Sequence, residues 1–134
     1  MLQRFDMTTP LALIFYENLL IGNQLVNRLR DLGYRVKPVT NLSQLAALAA
    51  EEKPLLFVTE LGAQAEPLCT AVRALKADPA TAHVPVLAIQ RPTRKRADRK
   101  VAESARAAGV ALVASESACL TQLPELLGRV LEIE

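Results

Sequence analysis

The chain has 134 residues, 51% of them hydrophobic, with 16 basic and 14 acidic side chains for a formal net charge of +2. That length supports one sizeable core and is short for two, and the near-balanced charge points to no partner class by itself. No apolar run reaches the roughly 20 residues of a membrane-spanning helix, and the charged Arg4, Asp6 and Glu17 interrupt the start of the chain where an export signal would need an apolar block, so a cytoplasmic location without membrane attachment is expected.

Residues 1–9 form a short polar leader, and residues 10–134 are expected to make a single domain. Leu11-Ala12-Leu13-Ile14-Phe15-Tyr16 is a compact apolar run of strand length, of the kind covered on both faces. Leu19, Leu20, Leu25, Val26, Leu29 and Leu32 follow at helical spacing among polar residues, and Gly33 supplies a stop. Tyr34 to Val39 reads as a second strand. Asn41 is a helix cap, and Leu42, Leu45, Leu48 and Ala49 are the buried stripe of a second helix that runs to about Glu52. Leu55 to Thr59 is a third strand, residues 61–65 a loop, and Pro67 fits the first turn of a third helix ending at Ala77 before Asp78-Pro79.

Val84 to Ile89 is the fourth strand, its proline placed near the start where a missing donor matters least. Arg94 to Ala108 forms a fourth helix with a face of small residues, and Gly109 ends it. Val110 to Ala114 is the fifth strand, Ser115-Glu116-Ser117 a polar turn, and Leu123 to Leu131 the closing helix. Cys69 and Cys119 lie in apolar stretches without neighbouring metal ligands, so buried free thiols are expected, while the single histidine, His83, falls in a strand entry.

Five strand-helix units in this order predict an α/β fold, a doubly wound five-stranded parallel sheet of order 2-1-3-4-5 with helices on both faces. Its functional crevice lies beyond the carboxyl ends of the strands. Tyr16, Glu17, Asn18, Thr59, Glu60, Gln90 and the turn 115–117 would share that rim.

From residue 10 onward the chain resembles the response-regulator receiver family, a flavodoxin-like three-layer sandwich. The resemblance is carried by Glu51 to Glu60 and Val72 to Ile89, supported by Leu32-Gly33-Tyr34, Ala107-Ala108-Gly109 and Glu125 to Val130. It implies a signalling domain of two-component systems and phosphorelays. In that family an aspartate after the third strand is phosphorylated, with an acidic pair and Mg²⁺ beside it, a hydroxyl residue ending the fourth strand and a lysine ending the fifth. Carried over by position, the acidic pair falls on Tyr16 and Glu17, the acceptor on Glu60 and the hydroxyl on Gln90. The lysine falls on Ser115 or Glu116, or on Cys119 if the closing segment is aligned from its far end.

Only Glu17 keeps the family's residue type. No lysine follows Lys100, and the four aspartates, Asp6, Asp31, Asp78 and Asp98, stand at none of these junctions. Phosphoryl transfer needs an in-line nucleophile and cations on the transferring oxygens, so these departures predict a pseudo-receiver that is not an enzyme and needs no cofactor. Glu17 and Glu60 remain weak candidates for Mg²⁺, and Gln90 is expected to donate its amide to Glu60 across the crevice.

Arg91, Arg94, Lys95, Arg96, Arg99 and Lys100 crowd into ten residues with one acid, Asp98, around the start of the fourth helix. The plain reading is a solvated helix start, but cations there oppose the helix macrodipole, which adds to the case that they serve a partner. An acidic protein surface is the first partner class. Nucleic acid is the alternative, with salt-sensitive phosphate contacts, although the few aromatics leave little for base stacking. Ala97, Ala105 and Ala108 offer close packing either to a second copy, giving a homodimer, or to the domain's own sheet.

Overall fold

The computed structural model describes residues 10–90 and 96–132. Its strands are β1 (Leu11–Phe15), β2 (Arg35–Pro38), β3 (Leu56–Glu60), β4 (Val86–Gln90) and β5 (Leu112–Ser115). Its helices are α1 (Leu19–Asp31), α2 (Leu45–Glu52), α3 (Ala65–Ala77), α4 (Arg96–Ala108), α5 (Glu116–Thr121) and α6 (Leu123–Glu132), with a 3₁₀ turn at Leu42–Gln44 ahead of α2. The strands form one parallel sheet in the order β2-β1-β3-β4-β5, as the alternation of elements predicts.

Successive side chains of a strand point to opposite faces, so the central strands feed two cores. Leu11, Leu13, Phe15, Phe57, Val86 and Ala88 face α2, α3 and α4. Ala12, Ile14, Leu56, Val58, Leu87 and Ile89 face α1, α5 and α6. Burial on both faces is why β1, β3 and β4 read as unbroken apolar runs.

Helix α1 starts where Asn18 accepts the amides of Leu20 at 2.9 Å and Ile21 at 3.4 Å on Oδ1. It ends at Gly33, whose φ of +94° suits a residue without Cβ. Its buried stripe is Ile21, Gly22, Leu25 and Leu29. Leu19 and Leu20, expected in that stripe, are each 70% exposed, and Leu32 is 41% exposed. Leu19 and Leu20 lie in the first turn, before the helix dips onto the sheet, so their spacing matches the stripe but their position does not.

The segment 115–117 is also more ordered than a turn. Ser115 Oγ accepts the amide of Ala118 at 3.1 Å and caps the short helix α5, which ends at Gln122 before α6 begins. Ala105 and Ala108 of α4 are buried in the core on the α3 side, which assigns them to the domain's own packing. Ala97 lies outside the described side chains. Cys69 and Cys119 are buried and free, as expected. Among the described residues no helix is long and apolar enough to cross a membrane.

Candidate functional site: the carboxyl rim of the sheet

Tyr16, Glu17 and Asn18 leave the end of β1, Glu60 ends β3, Gln90 ends β4, and Ser115 ends β5 with Glu116 next to it. All seven are half-buried on the rim. Gln90 and Ser115 are Cα partners in the β4–β5 register. Thr59, placed on this rim by sequence, is fully buried in β3, and its hydroxyl donates to the Glu60 carbonyl at 3.2 Å. The alternation of side chains across the sheet turns it into the core one residue before the strand ends.

The two glutamates are crossed. Glu60 Oε1 accepts the backbone amides of Glu17 at 2.7 Å and Asn18 at 2.9 Å. The carboxylate of Glu17 reaches the other way, with Oε1 accepting from Ala63 at 3.1 Å and Oε2 from Gln64 at 2.9 Å. Each glutamate therefore fastens the loop from which the other projects. The arrangement answers a local need, because the first amides of a helix have no partner inside it and attract negative charge. Gln64, the residue before α3, forms no side-chain cap of its own, and Glu17 supplies the acceptor. Glu60 does the same just ahead of α1, whose first turn has no acid.

Glycines make room for this geometry. A Cβ at Gly62 would stand 3.2 Å from Glu17 Oε2, tight against the carboxylate. A Cβ at Gly22 would overlap the ring of Tyr16, which lies over the first turns of α1. Tyr16 thus uses the acidic-pair position for packing on the α1 side of the sheet.

Mg²⁺ requires several oxygens at about 2.1 Å in a near-octahedral shell. Three of the four carboxylate oxygens of Glu17 and Glu60 already accept amide protons. Among the described residues no three or more His, Cys, Asp or Glu side chains gather as a possible metal cluster. As placed, Glu17 and Glu60 offer the ion a poor fit. Among the described contacts of Glu60 are the two amides of the β1–α1 loop, both on Oε1.

Cys119, the far-end candidate for the lysine position, belongs to the buried core on the α1 side with no exposed surface. Ser115 ends β5, and α5 stands between it and α6. Of the basic cluster, Arg91, Arg94 and Lys95 lie outside the described residues, as does the side chain of Arg96, while Arg99 and Lys100 are exposed on α4. Sequence reading missed the reciprocal role of Glu17, for which the uncapped Gln64 ahead of an apolar helix was the available signal.

No family model and no curated protein matches the sequence. Solved structures do match. A response regulator from Thermotoga maritima aligns with 92% of this chain and 98% of its own, at 16% identity and a TM-score of 0.74. A chemotaxis protein from Vibrio cholerae aligns with 91% of this chain and 98% of its own, at 16% identity and a TM-score of 0.73. The receiver domain of a sensor histidine kinase from Pseudomonas aeruginosa, which holds a magnesium ion in its active-site cleft, covers 92% of this chain and 98% of its own at 21% identity and a TM-score of 0.74.

Proposed function

We propose that this chain, built on the fold of response-regulator receiver domains, is a non-catalytic signalling module that works by protein contact and without aspartyl phosphorylation. One observation supports this most: at the acceptor end of β3, Glu60 is spent on the Glu17 and Asn18 amides, and Glu17 is spent on the loop after Glu60. An attacking oxygen must be free and in line with the donor, and charge on the transferring group must meet cations. Here Glu60 Oε1 and both oxygens of Glu17 already accept amide protons, and Ser115, one candidate for the lysine position, caps a helix. The contact surface on this reading is α4, where Arg99 and Lys100 are exposed and suit an acidic protein partner.

The test is intact mass and thermal melting of the purified protein with acetyl phosphate, with and without Mg²⁺. Unchanged mass and an unchanged melting temperature are expected. A stoichiometric gain of about 80 Da with a Mg²⁺-dependent rise in melting would overturn the proposal. Salt-sensitive retention of arbitrary DNA or RNA would replace the protein partner with nucleic acid.

A further inference from the structure

Helix α3 carries a ridge that is complementary to itself. Glu66, Thr70, Arg73 and Ala77 are exposed and follow one another by four, three and four residues, which keeps them within about 60° of arc on one side of the helix. Glu66 and Arg73 have opposite charge, and neither is ion-paired among the described residues. The Thr70 hydroxyl between them donates to the Glu66 carbonyl at 3.2 Å, so covering it leaves no donor unsatisfied. Beside the ridge, an uncharged groove of about 350 Å³ runs between α2 and α3, floored by Leu42 and Ala71 and walled by Ser43, Ala46, Thr70 and Ala74. Small side chains there let a second helix come close.

From this we infer that α3 pairs antiparallel with α3 of a second copy of the chain, across a two-fold axis beside Thr70. A two-fold contact uses the same patch on both copies, so the patch must complement itself. Helical rise places Glu66 about 6 Å before Thr70 and Arg73 about 4.5 Å after it, so reversal brings Glu66 of each copy level with Arg73 of the other to within about 1.5 Å along the axis. The ion pair forms twice, with small side chains and the two grooves between. A partner surface of one sign would leave either Glu66 or Arg73 unmatched, whereas a second copy matches both. The small residues Ala105 and Ala108 of α4 do not compete for this role, being buried in the domain's own core. The contact goes beyond the signalling reading above and needs neither a silent acceptor site nor α4.

Sedimentation velocity of the full chain from about 1 to about 300 µM tests it, since a contact confined to one helix and its groove belongs with small, weak interfaces of micromolar dissociation constant. A monomer–dimer equilibrium is expected. Glu66→Arg or Arg73→Glu alone sets like charges opposite each other twice and should weaken the dimer at least about tenfold. The double variant re-forms both pairs and should restore it, whereas damage confined to the helix itself would not be repaired. Mild oxidation of Thr70→Cys should give a disulfide joining position 70 of the two copies, while Arg99→Cys on α4 should give none. A chain that stays monomeric throughout, a dimer indifferent to the two charge changes, or one that the double variant fails to restore overturns the inference. A dimer linked through position 99 and not 70 overturns it as well and moves the self-contact to α4. The acetyl phosphate mass test reads none of these outcomes, so failure here is distinct from failure of the signalling reading.

Discussion

Glu17 and Glu60 are each other's loop fasteners: Glu60 Oε1 holds the amide of Glu17 itself at 2.7 Å, and Glu17 holds the amides of Ala63 and Gln64 in the loop that follows Glu60. Removing either carboxylate leaves two amides without an acceptor. Glu17→Ala and Glu60→Ala are each expected to lower stability by about 1–2 kcal/mol, the scale of a lost helix cap. Because each loop positions the other's acceptor, the double variant should lose less than the sum, by at least about 0.5 kcal/mol. Urea unfolding of the four proteins measures both quantities. Strict additivity would show that the two glutamates act independently.

Tyr16 and Gly22 form a second dependent pair. Alanine normally improves a helix interior over glycine by up to about 1 kcal/mol. At position 22 it should instead destabilise by about 1–3 kcal/mol, because the new methyl falls within the Tyr16 ring and forces overpacking. In a Tyr16→Ala background the sign should reverse, with Gly22→Ala becoming neutral or stabilising. Thermal melting of the single and double variants reads the reversal directly.

The contrast between these pairs and the rest of the fold shows what the letters carry. The strands β1, β3 and β4 were legible because burial on both faces demands runs such as Leu56-Phe57-Val58, and the sheet order follows from four crossovers of one hand. The rim positions followed from the topology. The direction of the Glu60 side chain did not, because its partners are backbone amides, which every residue carries and no letter distinguishes. Leu19 and Leu20 misled by periodicity, which gives the face of a helix but not where along its axis the sheet begins to cover it. The helix α5 was missed although Ser115 followed by Glu116 is a cap signal, since six residues are too few to show a period.

Two glycines with positive φ separate backbone strain from crowding. Gly33 has φ +94° with open space around a would-be Cβ, whereas Gly109 has φ +127° and a Cβ there would lie 2.7 Å from Lys76 Cγ. Lys76 is not easily displaced, since its ammonium donates to the carbonyls of Val84 at 2.6 Å and Ala82 at 3.1 Å. Gly33→Ala should therefore show the conformational penalty alone, about 1 kcal/mol, and Gly109→Ala at least about 1 kcal/mol more. Equal losses in urea unfolding would mean that the Lys76 strap yields without penalty.

Cys119 should make stability fall at alkaline pH. Burial, with a smaller push from nearby Glu116, raises its thiol from the ordinary 9.0 to about 12. Burial likewise raises Cys69 and Tyr34. Above the ordinary thiol value the unfolded chain releases the proton while the folded chain keeps it. The unfolded state then binds fewer protons, so stability falls as pH rises. The loss from Cys119 begins near pH 9 and continues toward about 12, at no more than about 1.4 kcal/mol per pH unit. Cys119→Ala removes this slope and leaves that of Cys69 and Tyr34. At pH 7 the variant should be less stable by about 1 kcal/mol for the lost buried sulfur, and the gap should close or reverse by about pH 11. Urea midpoints taken across that range decide the matter: a gap that stays constant with pH would show that the Cys119 thiol ionises equally in both states.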